Sequence, residues 1–527
     1  MTDWTSGYIT DISYTFNYSG YLNPLWLRLP LLNLGIAPPE GRAACELGFG
    51  QGLSVNLHAA AGTCEWWATD FNPAHASVGQ HLTATAGLEA RLFNESFAEF
   101  CQRPDLPDFD IIGLDGVWSW ITDENRTLIV DFVRRKLKPG GLLYIGYISQ
   151  PGWAEAVPLQ RLIAEAAETL GSPGQGIVGR LETALAFIDQ LLATRPAYAE
   201  AYPRIAERLA HIKGQNRQYL AHEYLNRNFQ PMHFADTVRW LRPAKLDFAC
   251  SADYIRCIPS LTLTEQQREF LARIPDLLFR ETVLDIMTNS SGRREYWIKG
   301  GRRLSLLEQA QALRQEQVVL VVPRYDITLD LKTHRVTASL DAAIYAPLLD
   351  TLADHQPRSL ADIEQHLAGI LTLPQVKEAV MVLVGKGVLK PAQDEAVSAL
   401  CRPATDRLNA QLLDFACGHG EVAYLASPLT GGGIPVSRTS QLFLWAAGQG
   451  GCTTAEDCAA LAWQILSIQG QSVQKGGVSL PTAEENLAAL TEQARAFVAK
   501  EYPVLLALQV IGATPSEDAP AYVIAPD

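Results

Sequence analysis

Ala43-Ala44-Cys45-Glu46-Leu47-Gly48-Phe49-Gly50-Gln51-Gly52 is an apolar run that breaks into three alternating glycines and then enters an amphipathic stretch, Leu53 to Ala61. It reads as a buried strand, a glycine turn and a helix. Glycine permits positive φ and lets a ligand approach the backbone with no Cβ in the way. The amides at the following helix start add a partly positive, hydrogen-bonding end. A turn of this kind cradles a nucleotide-like cofactor at the carboxyl edge of a parallel sheet, as in Rossmann-like folds.

Two residues bear on which cofactor. A dinucleotide fingerprint G-x-G-x-x-G/A needs a small third residue at position 53, where this chain has Leu53. Glu46 stands two residues before Gly48, where its carboxylate could bond a cationic or hydroxyl-bearing ligand. E-x-G-x-G-x-G resembles the first motif of class I S-adenosylmethionine-dependent methyltransferases. That resemblance implies that Glu46, Gly48, Phe49, Gly50 and Gly52 surround the methionine portion of the cofactor.

Downstream, Cys64 to Asp70 reads as a second strand ending in an acid, 18 residues past Gly52. That interval suits a carboxylate accepting hydrogen bonds from ribose hydroxyls, the reading favoured by the glycine turn upstream, although Asp70 could instead cap the next helix. Phe71 follows, placed to pack on adenine. Ala90 to Phe93 is a third strand, and beyond it Ser96 and Phe97 fit an adenine contact, with helix capping by Ser96 an equal reading. Phe109 to Leu114 is nearly all apolar, as a strand buried on both faces should be. It delivers Asp115, Gly116, Trp118 and Trp120 to the same edge, where Asp115 is either an acceptor-side base or a cofactor contact. Leu142 to Tyr147 is the fifth strand, and Trp118 and Tyr147 are candidate ring faces for a methylated cationic product. In the leader, Tyr14 and Tyr18 either cover the cofactor or pack the domain's flank.

The runs GLDGVWSWI (from Gly113) and KPGGLLYIGYISQPGW (from Lys138) resemble the class I methyltransferases that carry a methyltransferase regulatory domain. The rickettsial outer-membrane-protein lysine methyltransferases are among them. His222-Glu223-Tyr224-Leu225-Asn226 and Gln230-Pro231-Met232-His233-Phe234 extend the likeness. It implies S-adenosylmethionine as cofactor, S-adenosylhomocysteine as product, and methyl transfer by direct displacement to nitrogen, as in protein lysine, or to oxygen. The acceptor would be a protein or a small cell-surface intermediate. Asp115 departs from the family, which often has His there, and Ile148 and Gln150 replace polar and aromatic residues.

The expected fold class is therefore α/β: a Rossmann-like seven-stranded methyltransferase sheet over 1–300, with a helical insertion at about 154–230. Within that insertion, Leu159 to Leu170, Ile177 to Leu192 and Ile205 to Leu220 repeat apolar residues at helical spacing. It is either a lid over the site or a bundle enlarging the core. Arg294 to Lys299 would be the antiparallel seventh strand, making 251–293 a second insertion. Residues 301–400 suggest a winged-helix-like module of three helices and a small hairpin, and 401–527 a mostly helical C-terminal region. Asp414 to Gly420 mimics a second glycine turn but lacks a downstream acid-ended strand, so it reads as a helix end or loop.

Composition narrows the classes. Lys and Arg total 43 against 57 Asp and Glu, a net charge of −14, which argues against nucleic acid as the main partner. Nine cysteines without a C-x-x-C pair suggest reduced thiols and no metal site. With no signal-like N-terminus and no long apolar run, a cytoplasmic protein without a membrane segment is expected. A homodimer is compatible with such a chain. Two other classes compete: a non-catalytic cofactor-binding regulator and, disfavoured by Leu53, a nicotinamide-dependent oxidoreductase.

Overall fold

In the computed structural model the leader helix α1 (Arg28–Asn33) is followed by strand–helix steps along one sheet. Every residue is described except 1–4, 6, 333–336, 419–421, 450–451, 513–514, 516–519 and 526–527. The steps are β1 (Ala43–Leu47), α2 (Leu53–Ala61), β2 (Glu65–Thr69), α3 (Pro73–Thr85), β3 (Arg91–Phe93), α4 (Phe97–Phe100), β4 (Phe109–Leu114), α5 (Asp123–Lys136) and β5 (Leu137–Ile148). The helical insertion comprises α6 (Val157–Thr169), α7 (Gly176–Ala193), α8 (Ala197–Ala201), α9 (Ile205–Lys213) and α10 (Arg217–Tyr224). The chain returns through α11 (Phe234–Leu241) and β6 (Asp247–Ser251). It then passes α12 (Pro259–Thr262), α13 (Glu265–Ala272) and α14 (Leu277–Thr288) before β7 (Gly292–Ile298).

The seven strands lie in the order β3-β2-β1-β4-β5-β7-β6. β1 to β5 are parallel, and β7 runs antiparallel to both β5 and β6. The order reverses beside β1, so the turns after β1 and β4 open a crevice at the carboxyl edge. β1 and β4 are buried along their whole lengths, which explains their unbroken apolar runs. α3 is capped by Asn72, whose side chain accepts from the Ala74 amide. Asp70 is thus free of the capping role its position allowed.

Gly52 has a packing task. Its φ is +78°, and a Cβ there would sit 2.7 Å from the Cα of Gly79 on α3. The third glycine of the turn lets α2 and α3 approach; it faces away from the cofactor crevice, a correction to its expected binding role. Gly52→Ala is expected to lower stability by about 1–3 kcal/mol through left-handed strain and overpacking. A lower chemical-denaturation midpoint at unchanged slope would show it.

Two boundaries differ from the sequence pattern. The apolar stretch Leu25 to Leu34 of the leader reads as one helix but is helical only over Arg28–Asn33, because the chain before Arg28 runs through turns and a 3-10 turn at Gly20–Leu22. The apolar repeat Ile205 to Leu220 breaks between α9 and α10, where Asn216 caps the second helix by accepting from the Gln218 and Tyr219 amides.

Beyond β7, helices Ala342–Thr351, Leu360–His366 and Leu373–Gly385 share a core with strand residues Val318, Leu320 and Leu389. The three-stranded sheet of this unit places Gln317–Leu320 between Arg358–Ser359 and Leu389–Ala392. An antiparallel pair, Asp330–Lys332 with Thr337–Ser339, also lies in this unit, beside that sheet. Leu29 and Leu32 of α1 join that core.

The C-terminal region is built from helices Glu395–Gly418, Arg438–Gly448, Ala455–Ile468 and Ala483–Ala507, with a hairpin at Tyr424–Ser427 and Gly432–Pro435. Its core takes in Leu53 and Leu57 of α2 and Leu82 of α3. Asp414 to Gly418 close the first of these helices; His419 and Gly420 lie outside the described residues. Among the described residues no helix is long and apolar enough to cross a membrane.

Candidate active site

The glycine turn, the ends of β2 and β4, the leader and α10 enclose a cavity of about 800 Å³. Gly48 and Gly50 have φ of +82° and +58°. A Cβ on Gly48 would meet Val117 Cγ2 at 2.6 Å, whereas one on Gly50 would enter open space. Gly48 is thus required for the fit against the β4 loop, and Gly50 for its backbone angle. The amides of Gly48 and Phe49 donate to the Thr69 carbonyl at 2.8 and 3.3 Å.

Asp70 ends β2 beneath this turn. Its Oδ2 accepts from the Gly50 amide at 2.9 Å and its Oδ1 from the Asn72 amide at 2.9 Å. His75 Nδ1 lies 3.5 Å from Oδ1, while His75 Nε2 accepts from the Tyr14 amide at 3.0 Å. Because Nε2 accepts, the ring proton sits on Nδ1, facing Asp70. Phe71 meets Tyr8 edge-on with ring centroids 5.8 Å apart. Ser96 caps α4 in a reciprocal box with Glu99 and lines the cavity beside Phe97.

Glu46 lies inside β1 at 4% exposure, and its Oε2 has no hydrogen-bond partner among the described residues. Burial, reinforced by Asp115 and Asp70, holds its carboxyl well above the usual range. An orphaned buried carboxylate facing a cavity calls for a cationic or hydroxyl-bearing ligand. Asp115 forms the floor. Its Oδ1 accepts from the Tyr144 hydroxyl at 3.0 Å, and a Cβ on Gly146 would come within 2.7 Å of that oxygen. Gly116, at φ +67°, turns the chain so that Val117 and Trp120 reach the cavity wall.

The roof comes from the leader and the insertion. Tyr8 and Tyr14 pack on His222 with centroids 5.5 and 5.1 Å apart. His222 Nε2 bonds the Ile12 carbonyl at 3.1 Å, and its Nδ1 is buried without a partner among the described residues. Burial pulls this imidazole down to about 4, so it stays neutral. Glu223 and Asn226 complete the roof, and Asn226 ties it to the leader by accepting from the Ile9 amide at 2.8 Å. The insertion is therefore both a bundle with its own core and the cover of the site.

Tyr14, Glu46, Gly48, Phe49, Gly50, Asp70, Phe71, Ser96, Phe97, Asp115 and Gly116 line the cavity. Tyr18, Trp118 and Tyr147 do not. Asn17 and Ser19 are pinned to Ser54 on α2, and Tyr18 between them turns outward onto His58 and Tyr424, at 5.2 and 4.9 Å. Trp118 is fully buried against Trp240, and its carbonyl is held by the Arg126 guanidinium at 3.0 and 3.2 Å. Tyr147 lies on the sheet face opposite Tyr144, donating to Glu295 at 3.3 Å. Neither ring can meet a product in the cavity. Sequence reasoning missed Tyr8, His75, His222, Glu223 and Asn226 as site residues. The His222-to-Asn226 run carried a family likeness, but only the contact of α10 with the leader turns it into a roof.

Six carboxylates (Glu46, Asp70, Glu95, Glu99, Asp115 and Glu223) line the cavity, and no Lys or Arg does among the described residues. No group of three His, Cys, Asp or Glu among the described residues is placed to hold a metal.

A family described as a "predicted methyltransferase regulatory domain" matches residues 216–299. The Synechocystis protein sll1526 is 35% identical over 514 residues, covering 96% of this chain and 99% of that protein. The chain belongs to the class I methyltransferases that carry a methyltransferase regulatory domain. The Rickettsia prowazekii protein RP789 is 24% identical over 279 residues, 51% of this chain and 48% of that protein. Among solved structures, PKMT2 from Rickettsia typhi in complex with AdoHcy superposes with a TM-score of 0.65 at 17% identity, covering 94% of this chain and 99% of that one. That likeness extends the shared fold through the C-terminal units. The family's regulatory segment begins just before α10 and ends at β7, so it supplies both the cavity roof and the last two strands of the sheet.

Proposed function

We propose that this protein is an S-adenosylmethionine-dependent methyltransferase acting on a nitrogen acceptor, a lysine-type amine of a protein or of a cell-surface intermediate. One observation carries the reading: a glycine-turn cavity holding the orphaned Glu46 carboxyl, walled by acids and, among the described residues, by no Lys or Arg. S-adenosylmethionine supplies an electrophilic methyl on a sulfonium, and it brings one ammonium group to match Glu46. A dinucleotide would instead set two phosphates in a cavity lined by acids, with no Lys or Arg among the described residues to balance them. Asp70 would take the ribose hydroxyls, and Phe71 with Phe97 would hold the adenine. The same negative walls favour an amine acceptor over a neutral hydroxyl. The site's contribution to rate is then mainly orientation, holding acceptor and methyl in line while excluding water. The AdoHcy bound by PKMT2 of the same fold agrees with this reading. We place the reaction in the cytoplasm, where the nine free thiols would stay reduced.

Calorimetric titration with S-adenosylmethionine, S-adenosylhomocysteine, NADH and NADPH tests it, followed by transfer of labelled methyl to poly-L-lysine. Binding of the sulfur ligands alone, with label on nitrogen, is the expected result. Sulfur-ligand binding with no transfer to amines or hydroxyls would favour a non-catalytic regulator, and nicotinamide binding would overturn the reading.

A further inference from the structure

We propose that Glu223, delivered by α10 at the start of the regulatory segment, takes the proton from the acceptor amine, while Asp115 serves as the cavity floor. This rests on the methyltransferase reading above. Glu223 lines the cavity at 8% exposure, and its carboxylate has no hydrogen-bond partner among the described residues. An acid held at the roof of a ligand cavity with no protein partner is available to a ligand. Asp115 differs in having one oxygen, Oδ1, held by the Tyr144 hydroxyl at 3.0 Å.

The groups around Glu223 suit an incoming ammonium. Tyr8 and Tyr14 from the leader and neutral His222 from its own helix line the same cavity, as do Asp70 and His75. Ring faces and a carboxylate together attract a cation, and no Lys or Arg competes in the cavity. Burial alone pushes the Glu223 carboxyl up to about 8, close to where a general base works best at neutral pH.

An amine arrives as an ammonium and must lose one proton before its lone pair is free. That proton passes to the Glu223 carboxylate. The nitrogen lone pair then forms the N–C bond as the C–S bond breaks, its electron pair staying on sulfur as the neutral thioether. The product leaves as a methylated ammonium, and Glu223 returns its proton to solvent when the cavity opens.

Sinefungin provides a readout independent of turnover, because it carries a primary ammonium where the transferable methyl would be. In the wild type it is expected to bind more tightly than S-adenosylhomocysteine and to release protons at pH 7, seen in buffers of different ionisation enthalpy. Glu223→Gln should reduce that preference by about tenfold, the size of one charge-assisted hydrogen bond, and abolish the proton release. Its S-adenosylhomocysteine affinity should stay unchanged, which also reports a folded site. With poly-L-lysine, kcat/KM should rise through about pH 8 in the wild type and in Asp115→Asn. In Glu223→Gln it should fall by roughly a hundredfold or more and lose that rise. Glu223→Asp, with charge kept on a shorter arm, should restore proton release with a lower rate. An unchanged sinefungin preference in Glu223→Gln, or loss of the pH limb in Asp115→Asn instead, overturns the assignment of Glu223. Failure of S-adenosylhomocysteine to bind the wild type overturns the cofactor reading beneath it.

Discussion

Asp70→Ala is expected to weaken S-adenosylhomocysteine binding by about a hundredfold or more, because one side chain does two jobs. Its oxygens accept from the Gly50 and Asn72 amides, both at 2.9 Å, and so fix the glycine turn against the start of α3. In the proposed complex the same carboxylate also receives the ribose hydroxyls. Hydrogen bonds to a charged group contribute about 1.5–3 kcal/mol each, so losing two exceeds a factor of a hundred. The turn would lose its preorganisation as well, since Gly50 sits at φ +58° with open space beside it and nothing else holding its amide. Asp70→Asn separates the effects. It keeps an acceptor for one amide but loses the charge, and it should retain more affinity than alanine. Calorimetry on both variants checks the order. Equal affinities in wild type and Asp70→Ala would remove the ribose from this corner of the cavity.

What the sequence made legible follows from range. The turn from Glu46 to Gly50, the acid at the end of β2 and the apolar β4 are local patterns, and each landed at the cavity. Gly52 was readable as a glycine that must stay glycine, but its reason lies in Gly79, 27 residues away on α3. Alternation along β5 does not reveal which face carries chemistry, and Tyr147 lies on the face that packs with Phe234 of α11. Trp118 likewise lies two residues past Gly116, on the side of the turn that Arg126 pulls into the core. The roof was hidden most deeply. Its residues meet through contacts between positions 9–12 and 222–226, and the break at Asn216 that aims α10 is masked by an unbroken apolar repeat. Local pattern exposes the floor of such a site; long-range contact builds its roof.

Arg293→Met is expected to be the most damaging substitution away from the cavity, costing about 3–5 kcal/mol. The guanidinium is 3% exposed on β7 and pairs with Asp285 at 2.7 Å, with Glu281 at 2.6 Å and with Glu295, while lying 4.3 Å from the Phe234 ring. Removing it leaves Asp285 and Glu295 buried, with Arg256, at 3.4 Å from Asp285, as the remaining cation among the pairs described, and Glu295 with only the neutral donors Trp297 and Tyr147. Burial already raises both carboxyls even with Arg293 nearby, and without it they rise further. The sign follows from linkage. A carboxyl whose folded value is raised favours the fold only below its unfolded value of about 4, and that support drains away as pH climbs toward the folded value. The variant's deficit should therefore be smallest at about pH 4 and below and grow as pH rises. Arg293→Lys keeps the charge without the three-way fork and should recover part of the loss. Denaturation followed by tryptophan fluorescence is well placed to read it, because Trp297 donates to Glu295 at 3.0 Å. A deficit independent of pH would point to lost packing on Phe234 in place of stranded charge. The network joins α14 to β7 and, through Glu295, to Tyr147 on β5. The regulatory segment is thus bolted into the sheet at one end, and that anchorage lets α10 at its other end carry a carboxylate over the site.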